Sequence, residues 1–267
     1  MKKAKRKQRF FIAAALIASM MIQPFAAFAA DDAVNQTQES SDNVTVLWDE
    51  DFDSTDKSHE PFSRSSWTEI TKYDDAHGKS AKASCLPGTW PQFVKVFDEP
   101  VSDGVLYLSY DLFRTAATGR IFDSFGEDDW SGWGNGLYIG TFWGGTDGSI
   151  SYYKDCDIEA IKTALPTGLK PQVGEWHHIE SYLDFDNRTV THFVDGELLG
   201  QTGMTESMKQ LKTYSLSAAP EYGSNEQYFD NYKILHIKDI GNMPNIEGSL
   251  AMPDYLKAPI MLSFDTG

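Results

Sequence analysis

The chain has 267 residues, with 23 Lys and Arg against 39 Asp and Glu, a formal charge of −16, and 13% aromatic side chains. Such acidity makes nucleic acid and anionic membrane poor partners and leaves neutral polysaccharide, Ca²⁺ or a basic protein as better ones. The length suits one sizeable domain with flanking segments and leaves no room for a second full one.

Residues 1–29 read as an export signal. Lys2, Lys3, Lys5, Arg6, Lys7 and Arg9 form a basic start, 10–22 an apolar stretch, and Ala27-Phe28-Ala29 a cleavage site. Cleavage after Ala29 is predicted, with an uncleaved anchor as the alternative; it leaves 17 of the 23 basic residues against all 39 acidic ones, a mature charge of −22. The compact basic signal has a bacterial look, so the Asn-x-Thr sequons at Asn35, Asn43 and Asn187 carry no expectation of a glycan. Residues 30–44 hold almost nothing that packs and read as a linker, with the folded domain expected over 45–238.

From residue 44 the chain is a succession of short β-favouring runs: 44–48, 67–73, 79–85 and 92–97, the last two separated by Pro87-Gly88. Residues 105–114, VLYLSYDLFR, carry apolar bulk at both alternating sets of positions, as in a central strand packed on both faces. Further strands are expected over 119–125, 137–143, 149–153 and 157–161. Residues 176–185 and 189–194 then form a meander, turned at Asp186-Asn187 and followed by the two-residue type I′ signal Asp195-Gly196. A single helical turn over 205–211 and strands over 213–219 and 227–237 complete the domain. Short strands at turn-punctuated spacing, with no heptad or repeat, indicate two packed antiparallel sheets. Beyond 238, three X-Pro steps break up a tail over 239–267, which either folds back or opens a further module.

Gly174-x-Trp176-His177-His178, a strand, an Asp-Asn turn, a second strand and Val194-Asp195-Gly196, with Phe229-Asp230-Asn231 in the closing strand, resemble the concanavalin A-like (laminin G-like) jelly-roll superfamily of lectins and glucanases. The resemblance covers most of the mature chain. It implies an all-β, antiparallel two-sheet jelly-roll sandwich whose concave face carries the ligand in relatives that bind or cleave glycans.

Three constellations carry possible chemistry. Asp49, Asp51 and Asp53 at the start and Asp230 near the end form a candidate Ca²⁺ site if the first and last strands are neighbours, since hard carboxylate oxygens suit that ion; the alternative is a solvated acidic turn. Trp130, Trp133, Tyr138 and Tyr153, with Asp128 and Asn135 beside them, form a candidate carbohydrate platform, in which flat rings take sugar C–H faces and polar groups take hydroxyls. Trp90 is an outlying candidate, and Trp143 reads as core. Asp155-Cys156-Asp157-Ile158-Glu159 has the period-2 carboxylate face of a laminarinase-type glycoside hydrolase, yet Asp155 is one methylene short of that family's nucleophilic Glu, which argues against retaining hydrolysis.

His177 and His178, adjacent on a strand, point to opposite faces, and His192 reads as a core histidine. Cys85 and Cys156 are the two cysteines of an exported chain, either bonded to each other or both buried and free. The function expected is a secreted, non-catalytic lectin-like module for polysaccharide. A divergent hydrolase and a Ca²⁺-stabilised adhesion domain without a sugar site are the alternatives.

Overall fold

The computed structural model describes residues 43–54, 63–128, 137–143, 148–156, 164–219, 224–242 and 245–251. Strands are numbered along the chain. One sheet runs, in spatial order, β13 (Glu197–Gly203), β12 (Thr189–Val194), β11 (Trp176–Asp184), β6 (Val105–Arg114), β15 (Asn225–Ile237), β4 (Lys79–Cys85) and β3 (Thr68–Lys72), with β1 (Val44–Glu50) also paired to β15. The other runs β10 (Ala164–Pro166), β9 (Ile150–Tyr153), β8 (Leu137–Trp143), β7 (Arg120–Gly126), β14 (Leu211–Ala219), β5 (Gln92–Val101) and β2 (Ser63–Arg64). Every strand pairing is antiparallel, and the first and last strands are neighbours, with Val44 opposite Ile237. The fold is therefore the two-sheet sandwich that the strand spacing anticipates.

Alternation decides what fills the space between the sheets. From β6, Leu106, Leu108, Tyr110 and Leu112 point inward and meet Ile179, Leu183, Phe229 and Ile234 of neighbouring strands, with Phe93, Ile121, Phe125 and Leu216 from the opposite sheet. Within this core Asp123 accepts hydrogen bonds from Tyr110 Oη and Tyr214 Oη, each 2.8 Å, and from the Thr141 hydroxyl. His192 is fully buried as read, its Nδ1 2.8 Å from Ser181 Oγ, and burial drops its pKa to about 3. Cys85 and Cys156 are buried and free.

The second face of β6 is covered by the chain itself. Val105 and Tyr107, with Tyr182, Phe193, Leu235 and Ile237, form a separate apolar patch beneath Ile246 and Ala251. This strap is fastened to buried Glu180, which accepts from Ser249 Oγ (2.6 Å), Leu250 N (3.2 Å) and Tyr107 Oη (3.0 Å).

Two local expectations are corrected. Residues 205–211 make a turn, closed by Met208 N to Thr205 O at 3.1 Å, and no helix, because Arg188 donates to the carbonyls of Thr205 and Met208 at 2.6 Å each. Beyond β9 the chain does not stay extended: Lys154–Cys156 is a 3-10 turn in which Asp155 and Cys156 have φ of 57° and 53°. That turn is docked on β13 and the loop after it, with Thr202 Oγ1 accepting from Asp155 N and Asp155 O from Thr205 N, both at 2.8 Å. The Asp195-Gly196 turn forms as read, with φ of 52° and 78°.

Candidate functional site

The outward face of the eight-stranded sheet is organised in cross-strand rows. In the first, Trp176, Phe113, Tyr228 and Lys82 stand opposite one another on β11, β6, β15 and β4. Two residues along, the same strands place His178 opposite Asp111 and Asp111 opposite Asp230; the next row is Glu180, Ser109, Lys233 and Asp49. Period two keeps all of these side chains on one face. Beyond them lies the apolar patch under the strap.

The first row is aromatic. His77 stacks on Trp176 with centroids 4.2 Å apart, Tyr73 meets Trp176 edge-on at 5.3 Å, and Phe113 and Tyr228 each lie 4.7 Å from Tyr73. Tyr73, His77, Trp176 and Tyr228 are partly exposed, so the shelf presents ring surface to solvent. Lys82, 5.9 Å from the Tyr228 ring, closes its end and pairs with Glu226 at 2.7 Å and Glu69 at 3.3 Å.

The next two rows border a cleft of about 350 Å³ lined by Asp49, Asp51, Asp111, His178, Asn231 and Glu247, among others. A β-bulge builds its centre. Between Asp230 and Lys233 the register of β15 slips, Asn231 takes φ 52°, a left-handed value that Asn tolerates, and its Nδ2 donates to Asp111 Oδ2 at 2.7 Å. Asp111 Oδ1 lies 2.6 Å from His178 Nδ1, while His178 N donates to Asp195 Oδ1 at 2.8 Å. Burial pulls the His178 pKa down, but the hydrogen bond and charge of Asp111, with Glu180 and Asp195, outweigh it and hold the ring above its ordinary 6.5. Asp230 is only 2% exposed. Its Oδ1 accepts from Asn231 N at 2.8 Å, and its Oδ2 meets the Ser80 hydroxyl at 3.5 Å. Burial first, then the charges of Asp111, Asp53 and Asp51, push this carboxyl up to about 7 against the pull of the Asn231 amide.

The residues nominated from sequence are distributed differently. Asp49 and Asp51 line this cleft and Asp230 stands beside it, whereas Asp53 turns to Lys79, accepting from its backbone N at 2.8 Å. Asp51 Oδ1 takes Asp53 N at 3.1 Å. Among the described residues no three His, Cys, Asp or Glu converge as a metal ligand set. Trp130, Trp133 and Asn135 lie outside the described residues, and of Tyr138 only its strand position, opposite Phe125, is described. Asp128 is exposed, with its carbonyl taking Thr213 Oγ1 at 2.6 Å at the end of the seven-stranded sheet, away from the cleft. Tyr153 is 3% exposed and Trp143 1%, so neither offers a ring face to a ligand, while Trp90 is 43% exposed. The carboxylate alternation from Asp155 breaks at its first residue in the 3-10 turn, and 157–159 lie outside the described residues. Asp111, His178 and the aromatic row are not singled out as a site by sequence; the acidic Asp111 inside a mostly apolar central strand is the available signal.

No protein-family model and no curated protein matches the chain. Solved structures do. An endo-acting O-glycanase, of the kind that prominent members of the human gut microbiota express to initiate mucin breakdown, is 11% identical, with 73% of this chain and 100% of that one covered and a TM-score of 0.51. Peanut lectin is 10% identical over 72% of this chain and 97% of its own, at a TM-score of 0.48. A sialidase is 13% identical over 68% of this chain, TM-score 0.49, and the match spans only 17% of the sialidase. At such identities the likeness is one of fold, and the fold is the concanavalin A-like jelly-roll sandwich.

Proposed function

We propose that the chain is an exported, non-catalytic carbohydrate-binding module, and that the aromatic shelf and adjoining cleft on the eight-stranded sheet hold the glycan. The observation that carries this reading is the adjacency of the two: partly exposed rings at Tyr73, Trp176 and Tyr228 stand one row from Asp111, His178 and Asn231. Rings take the C–H face of a pyranose, and carboxylate and amide groups fixed by their own hydrogen bonds take its hydroxyls. The O-glycanase that shares this fold acts on glycans, which is consistent with the reading. Nothing in the turn at Asp155 favours the hydrolase alternative, which needs that carboxylate on an extended strand.

The test is affinity electrophoresis against a panel of soluble polysaccharides, with Trp176→Ala and Tyr228→Ala beside wild type. Each substitution is expected to weaken binding by about 1–3 kcal/mol, taking base–aromatic stacking as an order-of-magnitude analogue. Trp130→Ala and Trp133→Ala in the same panel decide whether the loop rings contribute. Retention of no polysaccharide by the wild type overturns the reading in favour of an adhesion or structural domain.

A further inference from the structure

One ring of the aromatic shelf is covered by the protein itself. The turn between β3 and β4, residues 73–78, is closed at its base by Tyr73 N donating to Gly78 O at 3.0 Å. From it the His77 ring lies 4.2 Å from the Trp176 ring at an interplanar angle of 17°, the stacked arrangement in which one planar group covers the face of another. Asp74 braces this arm, its Oδ1 accepting from Ala76 N at 2.8 Å and His77 N at 2.7 Å and lying 3.2 Å from His77 Nδ1. Those bonds are internal to the turn, and among the described residues no hydrogen bond ties 74–77 to β6, β11 or β15. Tyr73 is wedged by Phe113 and Tyr228, each 4.7 Å away, whereas His77 meets those strands through its stack on Trp176. A second observation is independent of the stacking. Trp176 Nε1 and His178 Nε2, on the outward face of β11, are buried and have no hydrogen-bond partner among the described residues. Asp111 takes His178 Nδ1, so Nε2 is the nitrogen left over. A buried polar atom without a partner costs the folded state its desolvation, and each one calls for a reason.

Resting on the glycan-binding reading above, we propose that His77 is a built-in competitor for the site: it occupies the face of Trp176 that a pyranose takes, and the sugar displaces it while its hydroxyls give partners to Trp176 Nε1 and His178 Nε2. The exchange favours a sugar on chemical grounds. A stacked imidazole covers the indole face and leaves the indole N–H without an acceptor. A pyranose covers the same face and carries hydroxyls around its rim, each both donor and acceptor, so it can serve the donor-only indole and an imidazole nitrogen in either protonation state. Opening takes a change of rotamer at His77 and breaks no bond of the sheet. The affinity observed is then the intrinsic affinity scaled by the fraction of molecules in which the Trp176 face is uncovered.

The experiment is isothermal titration of the full chain with cellohexaose, laminarihexaose and xylohexaose, for wild type, His77→Ala and Asp74→Ala. Beside it, a proton–nitrogen correlation spectrum follows the Trp176 indole resonance, assigned by its loss in Trp176→Phe. His77→Ala is expected to bind the preferred oligosaccharide about three- to tenfold more tightly than wild type, the equilibrium equivalent of one aromatic pair. Asp74→Ala frees the imidazole without removing it and should tighten binding by a smaller factor, which keeps the test open should His77→Ala not fold. On saturation the Trp176 indole proton of wild type should move downfield and exchange more slowly with solvent, the signature of a hydrogen bond gained. Binding that is unchanged or weakened in the folded variants overturns the inference and leaves the glycan reading standing, with His77 as a fixed part of the shelf. An indole proton that does not move on saturation overturns it as well. Binding of no oligosaccharide by wild type or by either variant overturns both.

Discussion

Asp230→Asn isolates the electrostatics of the cleft from its packing. The folded state lifts this carboxyl from its ordinary 3.8 to about 7, chiefly by burial. The folded protein therefore keeps a proton that the unfolded chain has released between about pH 4 and pH 7, and stability falls as pH rises through that window. At about 1.4 kcal/mol per tenfold change in proton affinity, the ionised form costs about 4 kcal/mol at pH 8. Asparagine keeps an acceptor for the Asn231 amide and can donate to Ser80, yet carries no charge to bury. The variant should thus melt higher than wild type at pH 8, by up to about 2–4 °C per kcal/mol regained for a domain of this size, and level with it near pH 4. Calorimetric melts of both proteins from pH 4 to 8, with and without EDTA, provide the reading. A lower melting temperature for the variant at pH 8 would refute the argument. If EDTA also destabilises wild type, the charge is balanced by Ca²⁺ held among Asp49, Asp51, Asp53 and Asp230, and the carboxyl is ionised in the native protein.

Asp123→Ala should cost several kcal/mol, since it strips the acceptor from the buried hydroxyls of Tyr110, Tyr214 and Thr141 at roughly 1–3 kcal/mol for each group left unpaired; urea unfolding at constant m checks it. Glu180→Ala should release the strap, seen as faster hydrogen exchange and proteolysis within 245–251 while the amides of β11 and β6 stay protected. Cys85 and Cys156, whose thiols burial pushes up to about 12, should not react with a thiol reagent in the native protein, and reductant should leave the melting temperature unchanged.

The sheets were legible in the sequence because their signal is local. Residues 79–85 and 105–114 alternate and are bounded by turn residues, and Asp195-Gly196 can scarcely be anything but a tight turn. The candidate ligand face was not legible, because it is made by register. Trp176, Phe113 and Tyr228 come from three strands far apart in the chain and meet only once β11, β6 and β15 are aligned. The Phe229-Asp230-Asn231 signature pointed to the fold, yet the work of its asparagine, bending β15 to reach Asp111, depends on a bulge that no period reveals. The turn at Asp155 was missed for a related reason: its partners, Thr202 and Thr205, lie almost fifty residues on. Tertiary anchoring overrode a local alternation that reads as strand.

The pairing of β1 with β15 has a mechanical consequence. Val44 lies opposite Ile237, and Asn43 Nδ2 donates to the carbonyls of Asp239 (3.2 Å) and Asn242 (2.9 Å), so the chain enters the sandwich beside the end of its last strand, before the strap crosses back to Glu180. Tension applied between the start of β1 and the end of β15 acts across this antiparallel pair, in the direction of its hydrogen bonds, and loads them one after another from Val44 toward Glu50. Such a ladder peels open like a zip at low force, whereas strands pulled from opposite ends would resist with all their bonds at once. A pull through the chain beyond residue 251 is met first by the hydrogen bonds of Ser249 and Leu250 to Glu180, and the strap thus shields the seam until they give.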